Sequence, residues 1–192
     1  MGDLNNDNNV EDKLSKNNKN KGSKTRKGLF FEWIVPILLA VIIALLIKQF
    51  IIFKAYIPSE SMVPTLNVGD HLLVTKVYNL NNLKRGNIIV FNSKELDDIL
   101  IKRLIGLPGD DIKIVNGKVS VNGEELEESY IINHDNYNGE FHVPEGRYFF
   151  LGDNRPNSFD SRKWVNPYID GKDIMGKAQV KVYPFKDFGT IK

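Results

Sequence analysis

From Trp33 to Phe53 the chain reads WIVPILLAVIIALLIKQFIIF, 21 residues interrupted only by Lys48 and Gln49. A stretch so long and apolar fits a helix crossing a hydrocarbon core, which takes about 20 residues at a rise of about 1.5 Å each. A core helix of a small domain would show a polar face, and this run has none. A cleavable leader would end in an A-x-A-like site, whereas KAYIPSES follows here. The run therefore predicts a single transmembrane anchor over 29–54. Pro36 falls in its first turn, where a missing N–H does least harm, and Lys48 can snorkel towards headgroups. Seven Lys/Arg lie between Lys13 and Lys27, with few just after the span. The positive-inside rule then puts the tail in the cytoplasm and the rest of the chain on the extracytoplasmic side.

The net charge of +2 conceals a split. Residues 1–53 carry eight Lys/Arg against five Asp/Glu, leaving eighteen against nineteen for 54–192. The basic excess is local to the N-terminal part, so no nucleic-acid surface is indicated on the domain. Residues 1–28, rich in Asn and Lys, have almost nothing to bury and read as a disordered basic tail. The absence of cysteine excludes thiol catalysis, disulfides and cysteine-held zinc. His71, His134 and His142 have no neighbours at metal-ligand spacing, so a metal site is not expected.

Residues 55–192 read mainly as β-strand. HLLVTKVY (71–78), NIIVF (87–91), ILIKRLI (99–105) and DIKIV (111–115) are short, β-branched or aromatic, and separated by Gly, Asn and Pro. Asn116-Gly117 between alternating segments predicts a tight hairpin, and Asn122-Gly123 begins another turn. RYFFLGD (147–153) and KAQVKVYPF (177–185) supply later strands. No helical period follows the anchor. Residues 124–140, acidic and turn-rich, read as an insertion loop.

Chemistry needs a nucleophile and a base. IPSESMVPTL (57–66) sets Ser59 and Ser61 on a stiff segment between prolines. By itself it is a turn. A serine becomes nucleophilic only when a base takes its proton, and no histidine has an obvious orienting carboxylate in sequence. A lysine desolvated by burial is the alternative base. Lys102, in ILIKRLIGLPGD beside Arg103, lies inside an apolar strand. It either holds a lowered pKa there or, on an edge strand, simply reaches solvent. LGDNRPNSFDSR (151–162) gathers Asp153, Arg155, Asp160 and Arg162 with Ser158 and Ser161 in a loop. That density suits a brace built of ion pairs, and equally a well-capped surface loop.

Taken in order, IPSESMVPTL, GDHLLVTKVY, IKRLIGLPGD and GDNRPNSFDSR resemble the four successive motifs of the bacterial type I signal peptidase (leader peptidase) family. The resemblance runs from the anchor to about Pro184, apart from 124–140. It implies a mainly β fold, a compact all-β catalytic domain after the single N-terminal helix. It implies a membrane-bound serine endopeptidase that removes N-terminal signal peptides from secreted preproteins, with no cofactor. Its partners would be preproteins, the lipid bilayer and the secretion translocon. Carried over by position, Ser61 is the nucleophile, Lys102 the general base and Ser59 an oxyanion-hole donor. Ser158 would orient the lysine by a hydrogen bond. Asp153 with Arg103, and Asp160 with Arg162, would form ion pairs bracing the lysine strand. Met62 would sit near substrate and membrane, with apolar surface around it reaching the bilayer.

Two departures from the family pattern, Pro156 and Lys163-Trp164-Val165, fall outside the residues assigned to catalysis. A self-cleaving Ser–Lys regulator would carry a DNA-binding module where this chain has its anchor. A tethered non-catalytic binding domain would not need both Ser61 and Lys102.

Overall fold

The computed structural model describes residues 26–191. Of the tail expected over residues 1–28, residues 1–25 lie outside them and the last three belong to a helix. The chain divides into two units between Leu45 and Leu46.

Helix α1 (Arg26–Phe50) contains a stretch, Phe31–Phe50, long and apolar enough to cross a membrane, and the side chains of that stretch are exposed. It differs from the expected anchor at both ends. It starts three residues earlier, on Arg26 and Lys27, residue types that lose little rotamer freedom in a helix. Pro36 therefore lies inside the helix and not in its first turn. At the other end the helix stops at Phe50, and Ile52–Tyr56 form strand β1. The change of structure has a visible cause. Lys76 Nζ donates to the Gln49 carbonyl at 2.6 Å and the Tyr78 hydroxyl donates to the Phe50 carbonyl, so two C-terminal carbonyls find partners beyond the helix. β1 then pairs along its whole length with β2 (His71–Lys76).

The second unit is built from antiparallel strands in two sheets. The larger runs in the order β1, β2, β11 (Ile174–Tyr183), β3 (Ile88–Ser93), β4 (Asp98–Gly106), β9 (Arg147–Leu151) and β10 (Ile169–Asp170). β12 (Gly189–Thr190) pairs with β11. The smaller sheet orders β7 (Glu124–Glu125), β6 (Lys118–Val121), β5 (Asp111–Val115) and β8 (Gly139–His142). Among the described residues no α-helix follows Phe50.

Why these strands sit where they do can be read from β3. Its IIVF run puts Ile88 and Val90 into one cluster with Ile57, Met62, Leu66 and Leu72, and Ile89 and Phe91 into another with Leu104, Phe150 and Trp164. A strand covered on both faces must be apolar on both. β5 instead alternates, with Ile112 and Ile114 buried and Asp111, Lys113 and Val115 exposed, because the smaller sheet covers a core on one face only. Asn116 and Gly117 both take positive φ, which closes the β5–β6 hairpin in two residues.

Met62 belongs to this core at 0% exposure, so any surface turned to a membrane near it is made by other residues. Nor is 124–140 a plain loop. It contains β7, the start of β8 and the buried Ile131.

At Gly106 the end of β4 approaches its neighbours so closely that a Cβ would stand 2.8 Å from both Phe149 Cβ and Val143 Cγ2. Neither is the far end of a flexible side chain. Gly106→Ala should therefore destabilise the domain by about 1–3 kcal/mol. A lowered denaturant midpoint for the full chain would record it.

Candidate active site

The Ser61 segment is held from below by apolar anchors. Ile57, Met62 and Leu66 are buried to 1% exposure or less. Ile57 exchanges backbone bonds with the turn at Gly69 and Asp70, and Leu66 N donates to the Met62 carbonyl. From the side, Asn154 N donates to the Ser61 carbonyl at 3.0 Å and Asn154 Nδ2 to the Glu60 carbonyl at 3.1 Å. The Ser61 hydroxyl is left facing β4.

There it meets Lys102. Nζ and Ser61 Oγ are 2.5 Å apart, across 41 residues of sequence. Lys102 lies opposite Ile89 in the β3–β4 register and is 4% exposed. It does not reach solvent as an edge-strand lysine would. Burial drives its pKa down, and the Asp160 and Asp153 carboxylates only partly oppose this, leaving it lowered to about 8. Ser59 Oγ lies 3.3 Å from Ser61 Oγ on the exposed side.

The surrounding charges are paired. Arg103 binds Asp153 in a two-pronged bond, Nε to Oδ1 at 2.8 Å and the second nitrogen to Oδ2 at 2.7 Å, and also donates to the Gly86 carbonyl. Thr65 Oγ1 adds a 2.5 Å bond to the same carboxylate. Arg162 likewise binds both oxygens of Asp160 at 2.8 Å. Burial alone would raise the Asp160 pKa, but Arg162, with help from the Gly152 N–H, holds it below its ordinary value. Gly152 is required by closeness. A Cβ there would stand 2.2 Å from Ser158 Oγ and 2.5 Å from the Ser61 carbonyl.

Ser158 is buried in this contact, but its hydroxyl makes no hydrogen bond of good geometry with Lys102 or any other described residue. It lies near enough to the Asp160 carboxylate to favour its ionised form weakly. The lysine-orienting bond expected from sequence is therefore absent from this arrangement.

Some structural partners had no part in the sequence reading. Thr65 and Asn154 lie inside the motif stretches, so their position was the available signal. Glu128, Tyr130 and Asp135 lie in the acidic segment, where nothing in the sequence marks them.

A cavity of about 330 Å³ opens beside Ser61 and Lys102, walled by Ala55, Pro58, Ser59, Leu96, Ile99 and Phe159. Among the described residues, no cluster of side chains suits a metal ion. A hydroxyl against a buried amine of lowered pKa, facing an apolar groove, can carry out nucleophilic attack without a metal.

The profile of the family described as signal peptidase, peptidase S26, matches residues 30–183. Signal peptidase I of Leptolyngbya laminosa is 42% identical over 170 residues, which cover 83% of this chain and 83% of that one. Signal peptidase I of Bacillus licheniformis is 36% identical over 177 residues, 86% of this chain and 95% of its own. A crystal structure of a signal peptidase I from Enterococcus faecalis aligns with 52% of this chain and 98% of its own, at 32% identity and a TM-score of 0.44. The family match runs from α1 through β11 and takes in both the Ser61 segment and the lysine strand. The chain belongs to the signal peptidase family, peptidase S26, and is a serine peptidase.

Proposed function

We propose that the protein is a membrane-anchored endopeptidase that removes signal peptides from exported preproteins with a Ser61–Lys102 dyad. The observation that carries this reading is the 2.5 Å approach of Lys102 Nζ to Ser61 Oγ in a buried setting. When the amine is neutral it accepts the Ser61 proton, and Oγ attacks the scissile carbonyl. The developing oxyanion is taken up by the Ser61 N–H and the Ser59 hydroxyl. The lysine returns its proton to the leaving amine of the mature protein. A water activated by the same amine then cleaves the ester and frees the signal peptide.

Asp153 with Arg103 and Asp160 with Arg162 brace the strand and loop around the amine, and Ser158 fills the contact between loop and nucleophile. Residues Asp98–Lys102 of β4 pair only with β3, since β9 takes up the strand from Arg103 onward. The open edge borders the cavity, as does β1 through Ala55 and Tyr56. That geometry suits an extended peptide bound by main-chain bonds, with side chains in shallow pockets. α1 serves as the anchor, with the basic tail cytoplasmic and the catalytic domain on the extracytoplasmic side, near bilayer and translocon.

Cleavage of a purified preprotein in detergent tests the dyad. Wild type should cut after a small residue, and Ser61→Ala and Lys102→Ala should not. Because the neutral amine is the active form, kcat/KM should rise with pH through about 8, set by the lowered lysine. Cleavage by Lys102→Ala would place the base elsewhere.

Ser59→Ala should lower kcat by about 10²–10³ without altering the melting curve. Full activity in that variant would remove Ser59 from the oxyanion site.

Lys102→Met should be inactive yet more stable near neutral pH. Shifting an amine from its ordinary 10.5 to about 8 corresponds to at most about 3 kcal/mol. The sign follows from proton uptake. Between about 8 and the ordinary value the unfolded chain binds the proton and the folded one does not, so wild-type stability climbs with pH there. The gain from Lys102→Met should be largest below pH 8 and shrink above it, as chemical denaturation at several pH values would show.

A further inference from the structure

The segment 126–137 touches the supports of both proposed catalytic groups. Its first contact is on the loop side. Glu128, whose side chain is 5% exposed, accepts from the Arg155 guanidinium at 2.5 Å. Arg155 is itself 1% exposed, and its Nε donates to the Gly152 carbonyl. Asn154 N donates to the Ser61 carbonyl, and a Cβ on Gly152 would stand 2.5 Å from the same oxygen. Glu128 thus fixes the far end of the turn that holds the Ser61 carbonyl.

The second contact is on the strand side. The Arg103 Cζ lies over the Tyr130 ring, 3.8 Å from its centroid. Arg103 directly follows Lys102 in β4. The Tyr130 hydroxyl donates to Glu128 at 2.7 Å, which joins the two contacts in one chain. Burial, and then the Glu128 carboxylate, push the Tyr130 pKa up, so the hydroxyl remains a donor at all working pH. Further on, Asp135 pairs with Arg162, and the Tyr137 hydroxyl donates to the Arg162 carbonyl at 3.0 Å.

The segment is well placed to transmit position because both ends are tied to the smaller sheet: at the first, Leu126 N donates to the Val119 carbonyl at 2.8 Å. The Gly117 N–H donates to the Tyr137 carbonyl at 3.0 Å and Asn116 N to Asn138 Oδ1 at 2.8 Å, tying it to the β5–β6 hairpin. Ile131 is buried at its middle.

We infer that residues 126–137 form a strap that sets the spacing between Ser61 and Lys102, with Glu128 and Tyr130 as positioning residues for the proposed dyad. The inference rests on that reading of the dyad. Neither residue lines the cavity, so the strap acts on the chemical step and not on peptide binding. Displacing reacting groups by about 1 Å can lower a rate about 10²-fold. A loosened strap would also admit water to Lys102. The groups facing that amine are the Ser61 hydroxyl, Asp160 and Asp153 from the loop, and the apolar Ile89 from β3. Burial dominates among them, so hydration would carry the amine back up towards its ordinary value.

The test uses the full-length chain in detergent micelles with Glu128→Gln, Tyr130→Leu and Tyr130→Phe. Glu128→Gln and Tyr130→Leu should lose about 10- to 100-fold in kcat with KM little changed. The acid limb of the pH profile should move to higher pH. Tyr130→Phe keeps the ring over Arg103 and loses the donor to Glu128, so it should fall between Tyr130→Leu and wild type. Titration of the Lys102 side chain by NMR, which needs no turnover, should show the same upward movement in Glu128→Gln and Tyr130→Leu.

Folded variants with wild-type kcat and an unmoved Lys102 titration would overturn the strap, even if their melting temperatures fell. So would a loss confined to KM. Should Glu128→Gln fail to fold with its buried arginine uncompensated, Tyr130→Leu decides the matter. Absence of cleavage by wild type would defeat the dyad reading instead, and the Lys102 titration would still judge the strap.

Discussion

The site depends on one buried ammonium that has no carboxylate to itself. Both carboxylates near Lys102 are already committed. Asp153 is gripped by Arg103 and Asp160 by Arg162, each through two short bonds. Each can lend Lys102 some attraction, but its charge is largely answered by the arginine. Desolvation therefore prevails and the amine falls to about 8. Without either arginine, the spare carboxylate would oppose the desolvation of Lys102 more strongly. The ion pairs accordingly do more than brace a loop, since they limit how far the neighbouring carboxylates favour the charged amine.

The two halves of the site are supported by different physics. Ser61 stands on an apolar plug of Ile57, Met62 and Leu66, whose attachment does not depend on pH. Lys102 stands in a network of four arginine or lysine side chains, Lys102, Arg103, Arg155 and Arg162, and four carboxylates, Glu128, Asp135, Asp153 and Asp160. Buried ion pairs contribute little net stability, because desolvation offsets most of the attraction, but removing one partner is costly. Such a network is better at fixing geometry than at holding a fold together. The apolar clusters hold the fold, and the charges fix where the amine points.

This division explains what the sequence disclosed. The hairpin at Asn116-Gly117, the two-sided apolar strand Ile88–Phe91 and the exposed apolar helix follow from local pattern, and those were legible. The pairing of Ser61 with Lys102 was legible only through the order of the motifs, because 41 residues separate them. Local pattern failed where tertiary contacts decide. Ile52 and Phe53 are as apolar as the run before them, and it is Lys76 and Tyr78 at the Gln49 and Phe50 carbonyls, together with pairing to β2, that make them strand and not helix. Met62 directly follows Ser61 in sequence, and its place in the core with Leu66, Leu72 and Val90 is set by contacts that sequence does not show. The acidic segment resembled solvated loop because the arginines that receive Glu128 and Asp135 lie more than twenty residues later in the chain.

Burying a base has a further consequence for how stability and reactivity vary with pH. Asp160, held below its ordinary pKa, contributes stability that is present at neutral pH and is lost as pH falls through its folded value. Lys102 works in the opposite region. Below about 8 the folded protein carries a desolvated charge, and this unfavourable state is relieved as pH rises towards the value of an unfolded lysine. In the proposed dyad, the deprotonation that relieves the fold is the same one that would make the base. On that reading, catalytic competence and local stability increase together on the alkaline side. Asp160, held below its ordinary value by Arg162, stays charged throughout that range, so its brace on the loop beside the amine is kept while the amine loses its charge.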